Sequence, residues 1–460
     1  MSIRGWLAVG LAVAAIAALG LAWVRAEGDA PSLLSDEDAR DALDVLVGAD
    51  GREITFAISD AGSGVRSVVA VLIHARGEDT LVETTYPGSW LFGGESGQSF
   101  EFAAVIDPAE QKLRDGDAIL SVEVRDWSWR ENSMREEISV RVDTTPPRVT
   151  VDTGLSYVKR GGSGSVRYEV SEPTAFDGVQ VGPVDAEGSA FFRGFPVDSS
   201  DGSTRGARIA IFAVPTDAPH QADIRVVARD TAGNFATAGW PIVLKERTLP
   251  QGQVTLHKKF LDDKVTPLAR ADRIPTDDLS AAFHLVNTQL RSSNEKTLRA
   301  ATRDTAGKAL FRGAFHQLRN SMVTSRFGED RRYFIGTKRV SRATHFGYDL
   351  AATARAPITA SNDGRVVYSG ELGIYGECIV IDHGLGVASL YGHLSQRDAP
   401  VGVSVRKDEK LGLSGATGLA GGDHLHFAML VGETYVDPVE WWDPKWVKSH
   451  IEVRLPAPSP

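Results

Sequence analysis

The sequence contains, near its C-terminal end, the stretch His345-Phe-Gly-Tyr-Asp349, followed by Tyr391-Gly-His393-Leu394 and by Gly421-Gly-Asp-His424-Leu-His426-Phe427. Together these stretches hold four histidines and one aspartate, side chains that suit a zinc ion. A structural zinc site fills all four positions of the metal with protein ligands, whereas a catalytic site uses about three and leaves one for water. Because five suitable side chains are present, the pattern predicts a hydrolytic zinc site in which two imidazoles remain free.

The spacing of these residues constrains which of them can share a metal. His424 and His426 are two positions apart, so in a strand both point to one face, roughly 7 Å apart. One of them can therefore bind the metal while the other stands beside it. His345 and Asp349 are four positions apart, which gives them a common face on either a helix or a strand, although Gly347 disfavours the helix. The imidazoles that do not bind are then available for proton transfer or for stabilising an oxyanion.

The three stretches resemble the lysostaphin-like (LytM-type) zinc metallopeptidases. That family has the pattern His-x-Gly-x-Asp, then Tyr-x-His-Leu, then a Gly-rich stretch ending in His-Leu-His-Phe, and all three parts occur here in order. The resemblance implies that the zinc ligands are His345, Asp349 and His426, and that His393 and His424 are the catalytic pair. It further implies an antiparallel β-sheet domain, with a groove on one face, that cuts peptide bonds in bacterial peptidoglycan.

Length and composition set outer bounds on the protein. With 460 residues the chain should hold two to four domains. Its formal net charge of -10 argues against a nucleic-acid-binding protein. The single cysteine, Cys378, excludes an intramolecular disulfide. Its setting in Glu377-Cys-Ile-Val-Ile-Asp382 indicates a buried strand in which cysteine acts as a small apolar residue.

The N-terminus indicates where the protein resides. Gly5 to Val24 is an uncharged run of 20 residues, about 30 Å long as a helix and thus able to span a bilayer. We therefore expect residues 1–26 to be a membrane anchor, or else a signal peptide cleaved near Val24-Arg-Ala26. In both cases the rest of the chain is exported. This predicts a periplasmic protein of the cell envelope, anchored to the inner membrane through residues 5–24.

Between this segment and the histidine-rich region, the sequence has the pattern of β-strands. Ile54, Phe56 and Ile58 occupy alternate positions, which is the period of half-buried strands. Val122-Glu-Val-Arg-Asp126 is echoed 104 positions later by Val226-Val-Ala-Arg-Asp230, an interval of about one immunoglobulin-type sandwich. Asp143-Thr-Thr-Pro-Pro147 between the copies indicates a stiff linker. The region therefore resembles two bacterial Ig-like domains, which we place at residues 27–146 and 147–246.

Two roles are open for these Ig-like domains. They could bind cell-wall glycan or another envelope protein, for which exposed aromatic side chains such as Trp127 and Trp129 are candidates. They could instead be spacers that hold the enzyme away from the membrane. Buried tryptophan is the commoner case and favours the spacer.

Residues 247–310 change to a helical pattern. Thr276-Asp-Asp278 precedes apolar residues at positions 279, 282, 283, 286 and 290, which form one stripe of a helix with an N-cap at its start. A second short helix is expected from Ser293, so we predict a helical linker here. Residues 311–445 then form the peptidase domain and residues 446–460 a C-terminal tail.

Three further residues of the peptidase domain carry predictions. Arg326 or Arg331 could hold a carboxylate of a stem peptide, since guanidinium suits planar bidentate pairing, or could be solvated surface charges. His383 lies at a junction between a strand and a turn, where a structural hydrogen-bonding role is expected rather than catalysis.

The sequence as a whole predicts a multidomain, mainly β protein that is a zinc metalloendopeptidase. We expect it to hydrolyse peptide crosslinks of peptidoglycan with one zinc ion and a metal-activated water. The resemblance allows either a D,D-crosslink between stem peptides or a glycine bridge as the bond that is cut, and an exported protein of an envelope with a periplasm favours the stem-peptide crosslink. Two alternatives stay open. The chain could be a non-catalytic relative that binds the wall and activates another hydrolase, or an adhesion or scaffold protein that acts through its Ig-like domains. The presence of all three ligands and both catalytic histidines favours the enzyme.

Overall fold

The computed structural model describes residues 3–35, 45–183, 189–197, 206–219 and 221–455, with side chains from residue 10 onward. Within these ranges the chain divides into two compact units. The first comprises Met1–Pro147 with Arg229–Phe235, and the second comprises Arg148–Ala228 with Ala236–Pro460. The division at Pro147 falls in a stretch without helix or strand, where two consecutive prolines favour an extended chain.

The first unit begins with the helix Ile3–Arg25, which contains the segment predicted as an anchor. Over the part of the chain that the structure describes, no helix is both long and apolar enough to cross a membrane. The helix ends at Arg25, whose guanidinium donates a 2.6 Å hydrogen bond to the carbonyl of Trp90.

The remainder of the first unit consists of antiparallel sheets with one parallel edge strand. Three strands form one sheet in the spatial order Ser32–Ser35, Arg52–Ser59, Ser99–Ile106. Five strands form the second in the order Val45–Val47, Ser133–Val142, Gly116–Asp126, Val65–His74, Gly77–Thr85. A short ribbon pairs Gly88–Ser89 with Gly93–Gly94.

The two larger sheets of the first unit enclose one apolar core. Ile54, Phe56 and Ile58 are fully buried on the first sheet, as their alternation predicts, and Val122 and Val124 are fully buried on the second. Facing sheets bury their apolar sides in this way because each strand directs every second side chain inward. The Ig-like class of this unit stays a prediction.

The two tryptophans that were candidates for a binding surface differ in exposure. Trp129 is 38% exposed and its ring stacks on Trp90 with ring centroids 5.7 Å apart. Trp127 is partly buried, and the Arg66 guanidinium lies 5.3 Å from its ring centroid. The wall-binding and spacer roles both stay predictions.

Three further sheets follow along the chain. One has the order Val149–Val151, Ser163–Val170, Ala207–Ala213, Phe195–Pro196. Another has the order Ala190–Arg193, Thr174–Val181, Ile224–Asp230, Phe235–Ala238. A parallel pair joins Ser156–Lys159 to Ile242–Lys245.

The segment predicted as a helical linker also contributes a strand. Gln251–Thr255 pairs in parallel with Glu329–Ile335, which is itself antiparallel to Lys338–His345. Two helical stretches follow: Lys258–Phe260, Leu261–Val265 and Thr266–Ala271 run on continuously, and so do Leu279–Leu285, Val286–Leu290 and Arg291–Thr302. The middle piece of each is a π-helical turn.

The helix that begins at Leu279 shows which local predictions were correct. Asp278 is its N-cap, and the carboxylate accepts from the backbone N–H groups of Ser280 and Ala281, as predicted. The second helix expected from Ser293 is not separate, because no glycine or proline interrupts residues 286–302. Phe283 is buried and its ring centroid lies 4.9 Å from that of Tyr333, so the helix packs against the domain that follows.

The C-terminal part is organised around one antiparallel sheet. Its order is Met322–Ser325, Tyr348–Ala351, Leu425–Val431, Val387–Leu394, Glu377–Gly384, Gly364–Glu371, Ser404–Val405, with Thr434–Val436 paired to Leu425–Val431. A smaller sheet has the order Pro357–Thr359, Lys410–Leu413, Gln396–Arg397. The long central strands are buried along nearly their whole length, which places their side chains in a fixed scaffold.

Short helices close the chain at Pro438–Trp442, Pro444–His450 and Glu452–Arg454, with a single turn at Gly373–Tyr375 earlier in the domain. The segment predicted as a tail contains most of the second of these helices and all of the third, and its residues Val447 and Ile451, four positions apart, are both fully buried. Residues 456–460 of that predicted tail lie outside the described residues. Trp441 is also fully buried and donates from its indole to Oγ of Ser163, 3.0 Å away.

Candidate active site and metal centre

His345 and Asp349 reach the site from two different strands. His345 is the last residue of Lys338–His345, and Asp349 lies in Tyr348–Ala351 after a break at Phe346 and Gly347. The expectation of a common face on one helix or one strand is therefore wrong. The chain turns between the two residues, so that their side chains converge from separate sheets.

Gly347 is required by close packing at this break. A Cβ placed on it would lie 2.6 Å from Cε1 of His426 and 2.7 Å from the carbonyl oxygen of Phe427. Backbone and a ring held in the core cannot yield that much space. Only glycine, which has no Cβ, allows this turn to approach the His426 imidazole so closely. This steric requirement explains the Gly of the His-x-Gly-x-Asp pattern.

His426 lies on the neighbouring strand, Leu425–Val431. In the antiparallel register, His426 is directly opposite Asp349, so cross-strand geometry brings their side chains together. His424 stands just before this strand, in an isolated bridge to Gly415. The two histidines therefore face the same carboxylate, as expected from their spacing of two.

The three side chains predicted as ligands place their donor atoms in one buried cluster. Nε2 of His345 lies 3.0 Å from Oδ1 of Asp349 and 3.1 Å from Nδ1 of His426. Nδ1 of His426 lies 2.9 Å from the same carboxylate oxygen. Among the residues that the structure describes, these three form a group with donor atoms within 4.8 Å of one another.

The chemistry of this cluster fits a cation. Nδ1 of His345 lies 3.1 Å from the carbonyl oxygen of Arg326, so that nitrogen carries the hydrogen and donates it. Nε2 then presents a lone pair towards Oδ1 of Asp349, which lies 3.0 Å away. Lone pairs that face each other inside a buried site repel, and a divalent metal ion bound between them relieves this repulsion.

Arg331 occupies the other side of the Asp349 carboxylate. Its Nη2 lies 2.7 Å from Oδ2 of Asp349 and 2.5 Å from Oγ of Ser325. Its Nε donates to Glu329 over 3.1 Å. Burial favours the neutral form of this arginine, but the Asp349 charge outweighs it and raises the pKa of Arg331. Arg331 is therefore not a solvated surface charge, because it contacts the Asp349 carboxylate on the side opposite the imidazoles. Its binding of a stem-peptide carboxylate stays a prediction.

The charge state of Asp349 follows from these neighbours. Burial alone would raise the pKa of the Asp349 carboxyl, but His345 and hydrogen bonds from His424 and His426 hold it well below its usual range. The carboxylate is therefore ionised at neutral pH, with one oxygen facing the imidazoles and the other bound to Arg331.

His393 comes from the central strand Val387–Leu394. Its Nδ1 lies 2.9 Å from the carbonyl of Thr417, so Nδ1–H donates there and Nε2 is left as an acceptor. Burial, then the neighbouring His424 and His426, lowers the pKa of His393 well below its ordinary value. The backbone φ of 63° lies in the left-handed region, which a non-glycine residue adopts only when its surroundings hold it there.

His424 is the partner of His393 across the site. The two rings have centroids 4.8 Å apart, and Nε2 of His424 lies 3.6 Å from Oδ1 of Asp349. Its Nδ1 lies 2.8 Å from the carbonyl of Gly422, so Nδ1–H donates there. Burial opposes the charged imidazolium, but the Asp349 carboxylate outweighs burial and raises the pKa of His424.

All five residues line a pocket of about 390 Å³. One wall of the pocket comes from the segment predicted as a linker, through Leu256, Phe260, Phe283 and Arg291. Lys264 of the same segment donates to the carbonyl of Ala416 in the peptidase domain. The helical segment therefore forms part of the site.

Two predicted structural residues behave as expected. His383 is fully buried, with Nδ1 2.7 Å from the carbonyl of Asp363 and Nε2 2.7 Å from Oγ of Ser389, and burial lowers the pKa of His383 to about 4. Cys378 is a free, fully buried thiol whose pKa burial raises to about 12. Neither residue lines the pocket.

Sequence reasoning missed two residues of the pocket wall. Tyr375 packs on His426 with ring centroids 5.7 Å apart and bonds through its hydroxyl to Tyr435 over 2.9 Å. Arg291 lies on the helix above. No spacing in the sequence links these residues to the histidines, because long-range packing alone places them there.

Comparison with known proteins identifies the C-terminal region. Residues 343–438 match Peptidase family M23. This range contains His345, Asp349, His393, His424 and His426, and ends at the start of the helix Pro438–Trp442.

Individual relatives match shorter or longer parts of the chain. DD-carboxypeptidase/endopeptidase Mpg of Neisseria meningitidis is 37% identical over 117 residues, which cover 25% of this chain and 26% of that protein. Peptidoglycan DD-endopeptidase ShyA of Vibrio cholerae is 38% identical over 109 residues, 24% of this chain and 25% of that protein. An uncharacterized metalloprotease of Haemophilus influenzae is 26% identical over 204 residues, 44% of this chain and 40% of that protein.

The match to Mpg and ShyA spans about a quarter of the length of each. Their similarity therefore bears on about a quarter of this chain and not on its whole length. The site geometry and the family match concern the same residues. The C-terminal part of this chain is a peptidase family M23 (LytM-type) domain.

Proposed function

We propose that this protein is a zinc metalloendopeptidase that hydrolyses peptide crosslinks of peptidoglycan. One observation carries the proposal: donor atoms of His345, Asp349 and His426 converge in a buried cluster beside two further histidines. The family match and the relatives named as peptidoglycan DD-endopeptidases support the substrate class. The metal and the substrate would meet in the pocket that these residues line.

The proposed ligands are His345 through Nε2, Asp349 through Oδ1 and His426 through Nδ1. Two imidazoles and one carboxylate form a ligand set typical of catalytic zinc. Bound there, zinc would act as a Lewis acid that polarises the scissile carbonyl and lowers the pKa of water.

His393 and His424 would move protons and stabilise charge. Each imidazole donates its Nδ1 hydrogen to a backbone carbonyl, so each directs Nε2 into the pocket. His393 has a lowered pKa and is neutral, which suits it to accept a proton. His424 has a raised pKa beside Asp349, which suits it to donate a hydrogen bond to the developing oxyanion.

We also propose an envelope location, because peptidoglycan lies outside the cytoplasm. In this proposal residues 5–24 contact the inner membrane and the N-terminal β domains position the enzyme or bind an envelope partner. Localisation of a tagged full-length chain in cell fractions tests the first part, and its recovery in the cytoplasmic fraction would contradict it.

Digestion of purified sacculi tests the activity. The full chain, loaded with zinc, should convert crosslinked muropeptide dimers to monomers, which mass analysis of the released fragments identifies. His393→Ala is the matched inactive control. A zinc-loaded protein that leaves dimers intact would contradict the proposal, and would favour a wall-binding activator of another hydrolase.

A further inference from the structure

Arg291 lies on the wall of the pocket that holds the catalytic histidines. It is part of the helical stretch that begins at Leu279, outside the matched peptidase residues. Tyr375, which packs on the ring of His426, lines the same pocket.

The structure holds this guanidinium in place from one side. Its Nε donates to the carbonyl of Asn287 over 3.2 Å and its Nη2 donates to Oδ1 of Asn287 over 2.9 Å. Asn287 is itself buried and donates to Oγ of Ser341 over 2.9 Å. Nη1 has no hydrogen-bond partner among the described residues, so one N–H donor group of the guanidinium remains available to bind a ligand.

Arg291 differs from the other arginine of the pocket wall. Arg331 is bound to Asp349 at 2.7 Å and to Glu329 at 3.1 Å, so its charge is already compensated. Within the described part of the chain, no carboxylate lies within ion-pair distance of Arg291. Glu295 lies one turn further along the helix and interacts with the Arg291 charge only over a distance longer than an ion pair. Burial raises the pKa of Glu295.

We infer that Arg291 binds a carboxylate of the substrate and so fixes which bond reaches the catalytic histidines. This inference rests on the proposed function. A guanidinium that is oriented by one neighbour and has a free donor group suits a carboxylate of a peptide. In a stem peptide that group is either the free C-terminal α-carboxylate or the side-chain carboxylate of a diamino residue.

Paired substrates distinguish these two sources. The first pair is a crosslinked dimer with a free C-terminal carboxylate on one stem and the same dimer as its C-terminal amide. The second pair is a crosslinked dimer with free side-chain carboxylates and the dimer with those groups amidated. The zinc-loaded full chain should cleave the carboxylate form of one pair faster than its amide form.

The variant Arg291→Gln should lose that preference. For the carboxylate form, kcat/KM should fall roughly 10- to 100-fold, because the variant loses one charge-assisted hydrogen bond to the substrate. The change should lie mainly in KM. For the amide form it should change by less than about twofold. Arg291→Lys should recover part of the loss. Arg299→Gln, an exposed arginine of the same helix, is the matched control.

Two results would overturn the inference: an equal loss on both members of each pair, or no loss on either. Thermal unfolding of Arg291→Gln and the wild type, compared directly, shows whether the lost bonds to Asn287 unfold the helix. The kinetic comparison is therefore made at a temperature at which Arg291→Gln, Arg291→Lys and the wild type are all folded.

Binding separates this inference from the proposed function. Calorimetric titration of the favoured peptide into His393→Ala should give measurable affinity that falls at least about 10-fold when Arg291→Gln is added. Equal affinity, or no binding by either protein, would overturn the role of Arg291. If the wild type binds the peptide through Arg291 but cleaves no substrate, the proposed hydrolase activity is refuted. The role of Arg291 as a carboxylate-binding residue is then still supported.

Discussion

Arg331 and Asp349 form a buried ion pair in which Nη2 lies 2.7 Å from Oδ2, on the side of the carboxylate away from His345 and His426. The carboxylate therefore divides its two oxygens between a fixed cation and the proposed metal. Such a support fixes the orientation of a ligand and compensates its charge when the metal is absent.

Removal of this support should weaken metal binding without abolishing it. In Arg331→Met, zinc affinity should fall roughly 10- to 100-fold, because Asp349 loses its orienting partner. Competition with a chromogenic chelator measures this affinity. Arg332→Met is the matched control, because the neighbouring arginine pairs with Asp330 and not with the cluster. Unchanged affinity in Arg331→Met would show that the ion pair contributes only to the fold.

Loss of a proposed ligand should remove metal and hydrolysis together. His345→Ala and Asp349→Ala each delete one of three donors in the cluster, so elemental analysis after dialysis should find little zinc, and digestion of sacculi should cease. A variant that keeps one zinc ion per chain at wild-type affinity would contradict this assignment of ligands.

Replacement of His393 should strongly slow hydrolysis without affecting zinc binding. In His393→Ala the zinc content should equal that of the wild type, while the hydrolysis rate should fall by roughly 10²- to 10⁴-fold, the usual contribution of a general acid or base. His316→Ala, a surface histidine paired with Asp408 in the same domain, should retain full activity. Zinc loss in His393→Ala would show that this imidazole is a ligand.

Glu440 should make stability depend on pH. Its Oε2 accepts from the Ser163 backbone N–H over 3.0 Å, and Nζ of Lys159 lies 3.8 Å from Oε1. Burial raises the pKa of Glu440 from 4.5 to about 7. The folded state therefore retains the proton more tightly than the unfolded chain, and stability is highest below pH 4.5 and falls as pH rises through about 7.

Above pH 7, ionisation of Glu440 should lower the free energy of unfolding by about 3 kcal/mol relative to its value at low pH. This figure is the difference between the folded and unfolded pKa values, converted at about 1.4 kcal/mol for each pKa unit. Glu440→Gln removes the titration, so the stability difference between variant and wild type should grow in favour of the variant between pH 5 and 8. Urea unfolding at a series of pH values measures it. A difference that stays constant with pH would show that Glu440 titrates normally.

Local pattern was a sufficient guide to several elements. The alternation of Ile54, Phe56 and Ile58 predicted a strand that is found within Arg52–Ser59, and Asp278 predicted a helix start. Both signals depend on neighbours within a few positions, which is why they can be read without the fold.

The sequence also determined which side chains were candidates for the site, because imidazole and carboxylate chemistry limits the metals and reactions that a cluster can support. Only the tertiary structure decided their arrangement: the turn at Gly347 that brings Asp349 opposite His426, the Arg331 ion pair, and the helix that places Arg291 over the pocket. These contacts join segments that are distant in the chain. Side-chain packing and strand pairing set their geometry, which the local spacing of residues in the sequence cannot predict.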